Sequence, residues 1–393
     1  MPHTARAALV VAVLAATATT SASATAQAAT PPQIHAHRGG TVVNGKPTYA
    51  EETLDAYRNA AKNGFVFEID AKLTADGTPV AIHDATLDRT TTCTGEVRSF
   101  TLQALGACRF DVLGSPGGGL PTRSVKPRGR IATIAEVLEL AGLTGAKVNL
   151  EIKNLPTDPD YDPTPAYANK VMDVVIASGL DRSQVLIQSF IPANLDAAKQ
   201  ALRGVATSLL TLPAGAAEIE VARDKGYTWL SPQWPFAAAF VRDAHRAHKL
   251  VAPYTLNQRA DVKAAGRAKV DALITDDPLM AAGALGLRPV NGLTAKLTRR
   301  RGAVEVAGRL RVPGRKLCTG SVALRVLGAN RILRARRAPL KADCTYSVAA
   351  RVPRGAPARL LATIGFSGND HLLPRLIGPR PVPQELPRAV PHS

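Results

Sequence analysis

Aromatic residues are scarce in this chain: 8 Phe, 7 Tyr and 2 Trp make up 4% of its 393 residues. So few stacking surfaces, with no recognition motif, argue against nucleic acid as the partner of its positive charge. Acidic residues are scarce in one region only. Residues 288–393 hold 21 of the 49 Lys/Arg but 4 of the 31 Asp/Glu, so nearly all of the net +18 lies in the last quarter. That shift marks a domain boundary, and the length itself suggests two domains. Beyond the N-terminus, no apolar run approaches the roughly 20 residues a bilayer span needs. The apolar stretch Ala7–Ala16 follows Arg6 and precedes small-x-small sites at Ala24–Ala26 and Ala26–Ala28. It reads as a secretory signal peptide over residues 1–28, so a secreted mature chain with no transmembrane segment is expected. There are only four cysteines. None has a His partner at metal-ligand spacing, which argues against zinc. An even number fits an oxidising compartment, and three pairings are open. The economical choice is local, Cys93 with Cys108 and Cys318 with Cys344, each loop worth about 3 kcal/mol by chain entropy.

What the chain does have is regular alternation. Strand-like runs begin near residues 33, 65, 147, 185, 206, 227, 250 and 271, and helical patterns lie between them. Such alternation implies a parallel sheet. Eight strands within residues 33–287 fit the roughly 250 residues of a (β/α)₈ barrel. Chemistry in that fold sits at the C-terminal strand ends. Those ends carry His37-Arg38, Glu68 with Asp70, Glu151 with Lys153, then Gln188-Ser189, Thr211, Ser231, Tyr254–Asn257 and Thr275-Asp276. Ionisable groups crowd the first three. His35 shares a face with His37 one layer deeper, which predicts a packing role.

A hairpin follows the second strand. Asp76-Gly77 between apolar runs is a strong turn signal. A two-residue turn there would set Leu73 against Val80 and Asp70 against His83. The arm around His83 is too close in sequence for a parallel crossover. Some 45 irregular residues are then expected, with Cys93, Cys108, Gly117–Gly119 and a basic stretch to Arg130, the length of a functional lid. Helix one is expected to open at Glu51-Glu52-Thr53, its acids facing the helix dipole, and to end at Gly64. After the barrel, residues 288–301 read as a linker and 302–380 as a small basic β-sandwich of short punctuated strands. Residues 381–393 read as a Pro-rich disordered tail.

His37-Arg38-Gly39, Glu51-Glu52-Thr53, Glu68-Ile69-Asp70, Thr74–Gly77, His83-Asp84, Leu87–Thr90, Glu151-Ile152-Lys153, Tyr254–Asn257 and Asp271–Pro278 fall in one order. Together they resemble the glycerophosphodiester phosphodiesterases over about residues 33–280. The resemblance implies a TIM barrel that hydrolyses glycerophosphodiesters to glycerol 3-phosphate and an alcohol. By motif, Glu68, Asp70 and Glu151 would bind one divalent cation, Ca²⁺ or Mg²⁺, a choice their oxygen donors allow. His37 and His83 would be the acid–base pair, and Arg38 and Lys153 would hold the phosphate. Glu51 would orient Arg38 or a histidine, or else serve only as a helix N-terminal charge. Two positions depart from the family: Glu52 stands where Asn is usual, and Tyr254 where Trp is common.

A phosphodiester anion must be neutralised before a nucleophile approaches, and a cation on three carboxylates with two basic side chains does that. One imidazole then takes a proton and the other gives one. Two other readings share the residues. One is a phospholipase D-like or wall-polymer phosphodiesterase on the same barrel. The other is a catalytically silent barrel carried to an anionic envelope surface by the basic domain.

Overall fold

A computed structural model describes residues 31–114, 122–300, 302–314, 317–328 and 331–383, with the side chains of 122–125 excepted. The expected signal peptide, the Gly117–Gly119 run, Arg301 and the tail from residue 384 lie outside the described residues. Eight parallel strands form the barrel: β1 Gln33–Ala36, β2 Val66–Leu73, β3 Val148–Ile152, β4 Val185–Ser189, β5 Ala206–Thr211, β6 Trp229–Pro232, β7 Leu250–Val251 and β8 Ala272–Thr275. Neighbours in sequence are neighbours in space, and β8 returns to pair with β1, Gln33 opposite Ala272. Between β7 and β8 there is no ladder; single bonds such as Asp271 N to Val251 O at 2.9 Å close the ring.

Helices α1 Leu54–Asn63, α2 Ile134–Thr144, α3 Ala166–Ala177, α4 Pro192–Ala201, α5 Ala216–Asp224, α6 Ala238–Arg246, α7 Arg259–Arg267 and α8 Pro278–Ala284 accompany the strands. Their apolar stripes meet the outward strand residues Phe67, Ile69, Val148, Leu150 and Ile187 in one core. The helix α8, missing from the sequence expectation, is short and capped by the Asp277 carboxylate. Helix α1 begins at Leu54, three residues after the expected opening at Glu51. Thr53 is the N-cap, so Glu51 and Glu52 precede the helix, and Glu52 sits at φ +58°. Both carboxylates are buried rather than facing the dipole.

The hairpin register is off by one from the expected pairing. Leu73 opposes Pro79, Lys72 opposes Val80 and Ala71 opposes Ala81. The loop holds three residues, Ala75-Asp76-Gly77, with Gly77 left-handed at φ +73°. This is the type I turn plus left-handed residue of three-residue hairpins. The Thr74 hydroxyl accepts from Thr78 N at 2.9 Å and donates to Asp76, which tightens it. Asp70 therefore faces Ile82, whose N–H donates to Asp70 O at 3.1 Å.

The long excursion is not irregular. It holds a short helix at Leu102–Leu105, an antiparallel ribbon of Arg109–Leu113 with Thr122–Arg130, and its own small core of Val80, Ile82, Leu87, Val97, Leu105 and Phe110. The Cys93–Cys108 disulfide closes it. The segment expected as a linker also carries strands. Strands β9 Gly292–Leu293 and β10 Lys296–Arg300 join β11 Ala303–Arg311 and β14 Thr345–Arg351 in one sheet; β12 Ser321–Gly328, β13 Arg331–Pro339, β15 Leu361–Phe366 and β16 Arg375–Pro381 form the other. Alternating Val304, Val306, Val322, Leu324, Val348 and Ile364 fill the space between them beside Cys318–Cys344.

The sandwich sits under the barrel. Leu373 is buried in the barrel core, and Leu376 packs against it. Gly64, the left-handed cap of α1, lies so close to Pro374 that a Cβ there would stand 2.3 Å from the ring. These contacts lie at the N-terminal strand ends, opposite the side where the chemistry-bearing residues gather.

Candidate active site

The pocket at the C-terminal strand ends has a volume near 360 Å³ and is lined by His37, Arg38, Glu68, Asp70, His83, Glu151, Lys153 and Tyr254 among others. All the residues expected to do chemistry thus share one cavity. Register explains part of this: Asp70 pairs with Glu151, and Glu151 pairs with Gln188, so three inward side chains form one layer. Glu68 lies one layer below Asp70, since side chains two apart on a strand share a face. His83 arrives by a different route from the expected one. The arm's pairing ends at Ala81, and His83 turns into the cavity from the bend beyond it.

Arg38 enters through a sharp turn. His37–Gly39 forms one tight turn with Arg38 at φ +51° and Gly39 at φ +90°. A Cβ on Gly39 would stand 2.7 Å from the Ala56 Cβ, so only glycine lets this turn press against α1. The result aims the Arg38 N–H at Glu68 Oε2, 2.8 Å away. Its guanidinium meets Glu51 at 3.3 Å and Asp70 at 3.4 Å. Lys153 reaches Glu151 at 3.3 Å and Asp70 at 3.6 Å.

Oxygens of Glu68, Asp70 and Glu151 lie within 4.8 Å of one another, all buried. Burial and the Asp70 charge raise Glu68 to about 7, although His37 and Arg38 pull it down. Burial, Asp70 and Glu68 raise Glu151 to about 8 despite Lys153. Burial would also lift Asp70, but Lys153, His83 and Arg38 outweigh it and hold that carboxyl well below its usual range. Its Oδ2 is buried and accepts no hydrogen bond. Three crowded, buried carboxylates, two of them reluctant to ionise, are a donor set suited to a hard divalent cation.

Each histidine is held through Nδ1. His37 meets Asp276 at 2.6 Å, and Asn257 Nδ2 donates to the other Asp276 oxygen at 2.5 Å. His83 meets Asp84 at 2.5 Å. Asp84 also accepts from Arg89, whose fork binds Glu51 at 2.7 Å, and Glu51 binds Arg38. Glu51 therefore supports both Arg38 and the His83 side of the site. Burial pulls His37 down, but Asp276 outweighs it and raises that imidazole above its ordinary value. Burial, with the Arg38 and Lys153 charges, lowers His83 to about 4 although Asp70 and Asp84 pull the other way.

Several positioning residues escaped the sequence reading. Asp276, Asn257, Asp84 and Arg89 were visible in the quoted motifs but carried no role there; the His37 partner of Asp276 is 239 residues away, whereas Asp84 holds the histidine next to it. Gln188 Nε2 donates to Glu68 Oε1 at 2.7 Å and Oε1 accepts from Asn149, which reaches His35. His35 is buried in this layer beside Trp229, lowered to about 3 by burial and Lys147, and so is a neutral packing group as expected. Glu52 lies beneath the carboxylates. The Tyr57 hydroxyl donates to it, and its Oε1 accepts from Asp70 N at 3.1 Å. Burial, Asp70 and Glu68 raise its carboxyl well above the usual range, so it adds less charge than its identity suggests. Tyr254 and Phe190, edge to face at 6.1 Å, wall the open side.

The profile of the Glycerophosphoryl diester phosphodiesterase family matches residues 37–280. The chain belongs to this family. It is similar to the glycerophosphodiester phosphodiesterase of Caldanaerobacter subterraneus subsp. tengcongensis, 28% identical over 247 residues, 62% of this chain and 94% of that protein. It also resembles the Bos taurus glycerophosphodiester phosphodiesterase 1, 38% identical over 26% of this chain and 28% of that one. In fold it resembles an Oleispira antarctica phosphodiesterase solved in complex with its product sn-glycerol-3-phosphate, with a TM-score of 0.53 and 23% identity over 65% of this chain and 97% of that one. A Parabacteroides distasonis glycerophosphoryl diester phosphodiesterase gives 0.51 and 20% over 66% and 87%. Like those relatives it is a phosphoric diester hydrolase; the family match stops short of the sandwich.

Proposed function

We propose that the chain is an exported, cation-dependent enzyme that cleaves glycerophosphodiesters to glycerol 3-phosphate and an alcohol. The observation that carries this reading is the convergence of three buried carboxylates and two Nδ1-anchored histidines in one pocket. A cation held by Glu68, Asp70 and Glu151 would withdraw charge from the bound phosphate. Arg38 and Lys153 border the same space and add fixed positive charge. Both histidines present Nε2 to the pocket, since Nδ1 is taken. The Asp276 carboxylate that holds His37 also accepts from the neutral Asn257 amide, not from a second cation, which favours the imidazolium and suits it to protonate the leaving oxygen. His83 shares its carboxylate with Arg89, stays neutral and suits the base. Tyr254 and Phe190 exclude water on the alcohol side.

Both disulfides support an oxidising destination. The exposed arginines of β13 support attachment to an anionic envelope surface. The test is to incubate the purified protein with glycerophosphocholine, with and without chelator, and follow glycerol 3-phosphate. Release that stops on chelation and returns with Ca²⁺ or Mg²⁺ is expected. Release indifferent to chelator would refute the cation, and no release from any glycerophosphodiester would refute the activity.

A further inference from the structure

A second basic site lies at the other end of the barrel. Between the N-terminal strand ends and the sandwich opens a cleft of about 510 Å³. Lys147 from the barrel and Arg325, Arg337 and Arg375 from the sandwich line it, and no Asp, Glu or His does. Register places the two central arginines together. Ala323 pairs with Arg337 and Arg325 with Ala335, so both guanidinium groups rise from one sheet face toward the barrel. Small residues leave them room. A Cβ at Gly145 would stand 2.2 Å from Arg325 Nη2, and one at Gly365 would stand 3.6 Å from Nη1.

Two structural explanations fall short. Gly145 caps the C-terminal end of α2, and a helix end of that polarity welcomes a cation. That end is worth about half a charge, too little for four cations. Nor do carboxylates serve: among the described residues, no ion pair joins Arg325, Arg337 or Arg375 to an acid. Like charges on one sheet face are destabilising when unpaired. Burial and Arg337 together push the half-buried Arg325 below its ordinary value, which agrees with that crowding.

We propose that this cleft is a non-catalytic anion site that binds a phosphate group, free or carried on a small alcohol. Planar guanidinium forks match phosphate oxygens in pairs, and a cluster of them favours a dianion over chloride. The lining holds neither a carboxylate nor an imidazole, so nothing there would cleave the ligand. The site lies about 13 Å along β3 from Glu151, four residues at the strand rise, and stands apart from the catalytic reading.

Calorimetry on the full mature chain tests this, with inorganic phosphate and glycerol 3-phosphate titrated in about 0.15 M salt, where exposed charges are well screened. Arg38→Ala weakens phosphate binding in the catalytic pocket, so the seam is read in that background. One phosphate should still bind there. Adding Arg325→Gln and Arg337→Gln should weaken that binding about tenfold or more, by loss of charge-assisted bonds. Arg337→Gln alone, at an exposed position that leaves folding intact, should weaken it severalfold. With Arg38 intact, the double variant should turn over glycerophosphocholine at the parental rate. Equal affinity for the two ligands assigns a free phosphate; tighter glycerol 3-phosphate assigns the alcohol-borne one. Binding that is absent at this salt, or unchanged in the arginine variants, overturns the proposal. Phosphate binding at the seam without any glycerophosphodiester turnover would instead sink the catalytic reading and leave this one standing.

Discussion

At the scale of single residues, the two pocket histidines have unequal partners: His37 meets Asp276, and His83 meets an Asp84 that Arg89 also binds. His83 is part-exposed at the pocket, so removing it should cost chemistry and not folding. His83→Ala should lower turnover by about 10²–10⁴-fold, the usual worth of a general base, with the melting temperature nearly unchanged. A variant that unfolds would show a structural histidine. The carboxylates predict a pH effect. Glu68 and Glu151 hold protons up to about 7 and 8, above their ordinary 4.5. Between those values the folded chain binds more protons than the unfolded one, so stability falls as pH rises through that window. Asp70 runs the other way: its contribution is present above its ordinary 3.8 and is lost as pH falls further. The cation-free protein should therefore melt lower near pH 8.5 than near pH 6, and added cation should raise the melting temperature more at the higher pH. Calorimetry should show protons released on cation binding. Cation affinity that does not change over that range would contradict the ligand assignment. Glu52 gives a milder test. With its carboxyl raised well above the usual range, it should tolerate Glu52→Gln within about 1 kcal/mol, the worth of one neutral hydrogen bond, in chemical denaturation.

At the scale of elements, strands were legible and partners were not. Each of the eight barrel strands begins within two residues of where the strand-like runs begin, because the face packed against the helices demands apolar residues at alternate positions. The hairpin register was misread by one because the Thr74 hydroxyl builds a three-residue loop where Asp76-Gly77 suggested two. A slip of one normally turns a side chain to the wrong face. His83 escapes that rule only because the pairing has already ended at Ala81. The excursion after it read as irregular because its ribbon pairs residues far apart in sequence, Arg109 with Arg130. Asp84 and Arg89 lie at the head of that excursion, and Cys93–Cys108 closes it. Replacing both cysteines with Ser should cost about 3 kcal/mol by chain entropy. Turnover should fall as well, since Arg89 then holds Asp84 less firmly. A variant with full stability would show the bridge to be dispensable.

At the scale of the whole molecule, the basic last quarter forms the all-β region, but the charge shift does not show where its first strand begins. Residues 288–301 look like a linker because Gly292 and the arginines break the apolar pattern, yet Lys296–Arg300 pairs with Ala303–Arg311. How the sandwich attaches was not readable, because Leu373 and Pro374 look like ordinary loop residues until the barrel base is in place. The sandwich sits at the end away from the pocket, so deleting residues 288–393 should leave turnover of small diesters within about twofold while lowering the melting temperature, because Leu373 and Leu376 leave an uncovered apolar base. A folded but inactive truncation would show that the sandwich completes the site.

The cation is the element on which the proposed chemistry depends most, and an anomalous-scattering map of crystals grown with Ca²⁺ or Mn²⁺ addresses it directly. One strong peak should lie about 2.1–2.6 Å from oxygens of Glu68, Asp70 and Glu151 together. No peak at those three carboxylates, at cation levels that support turnover, would contradict the account.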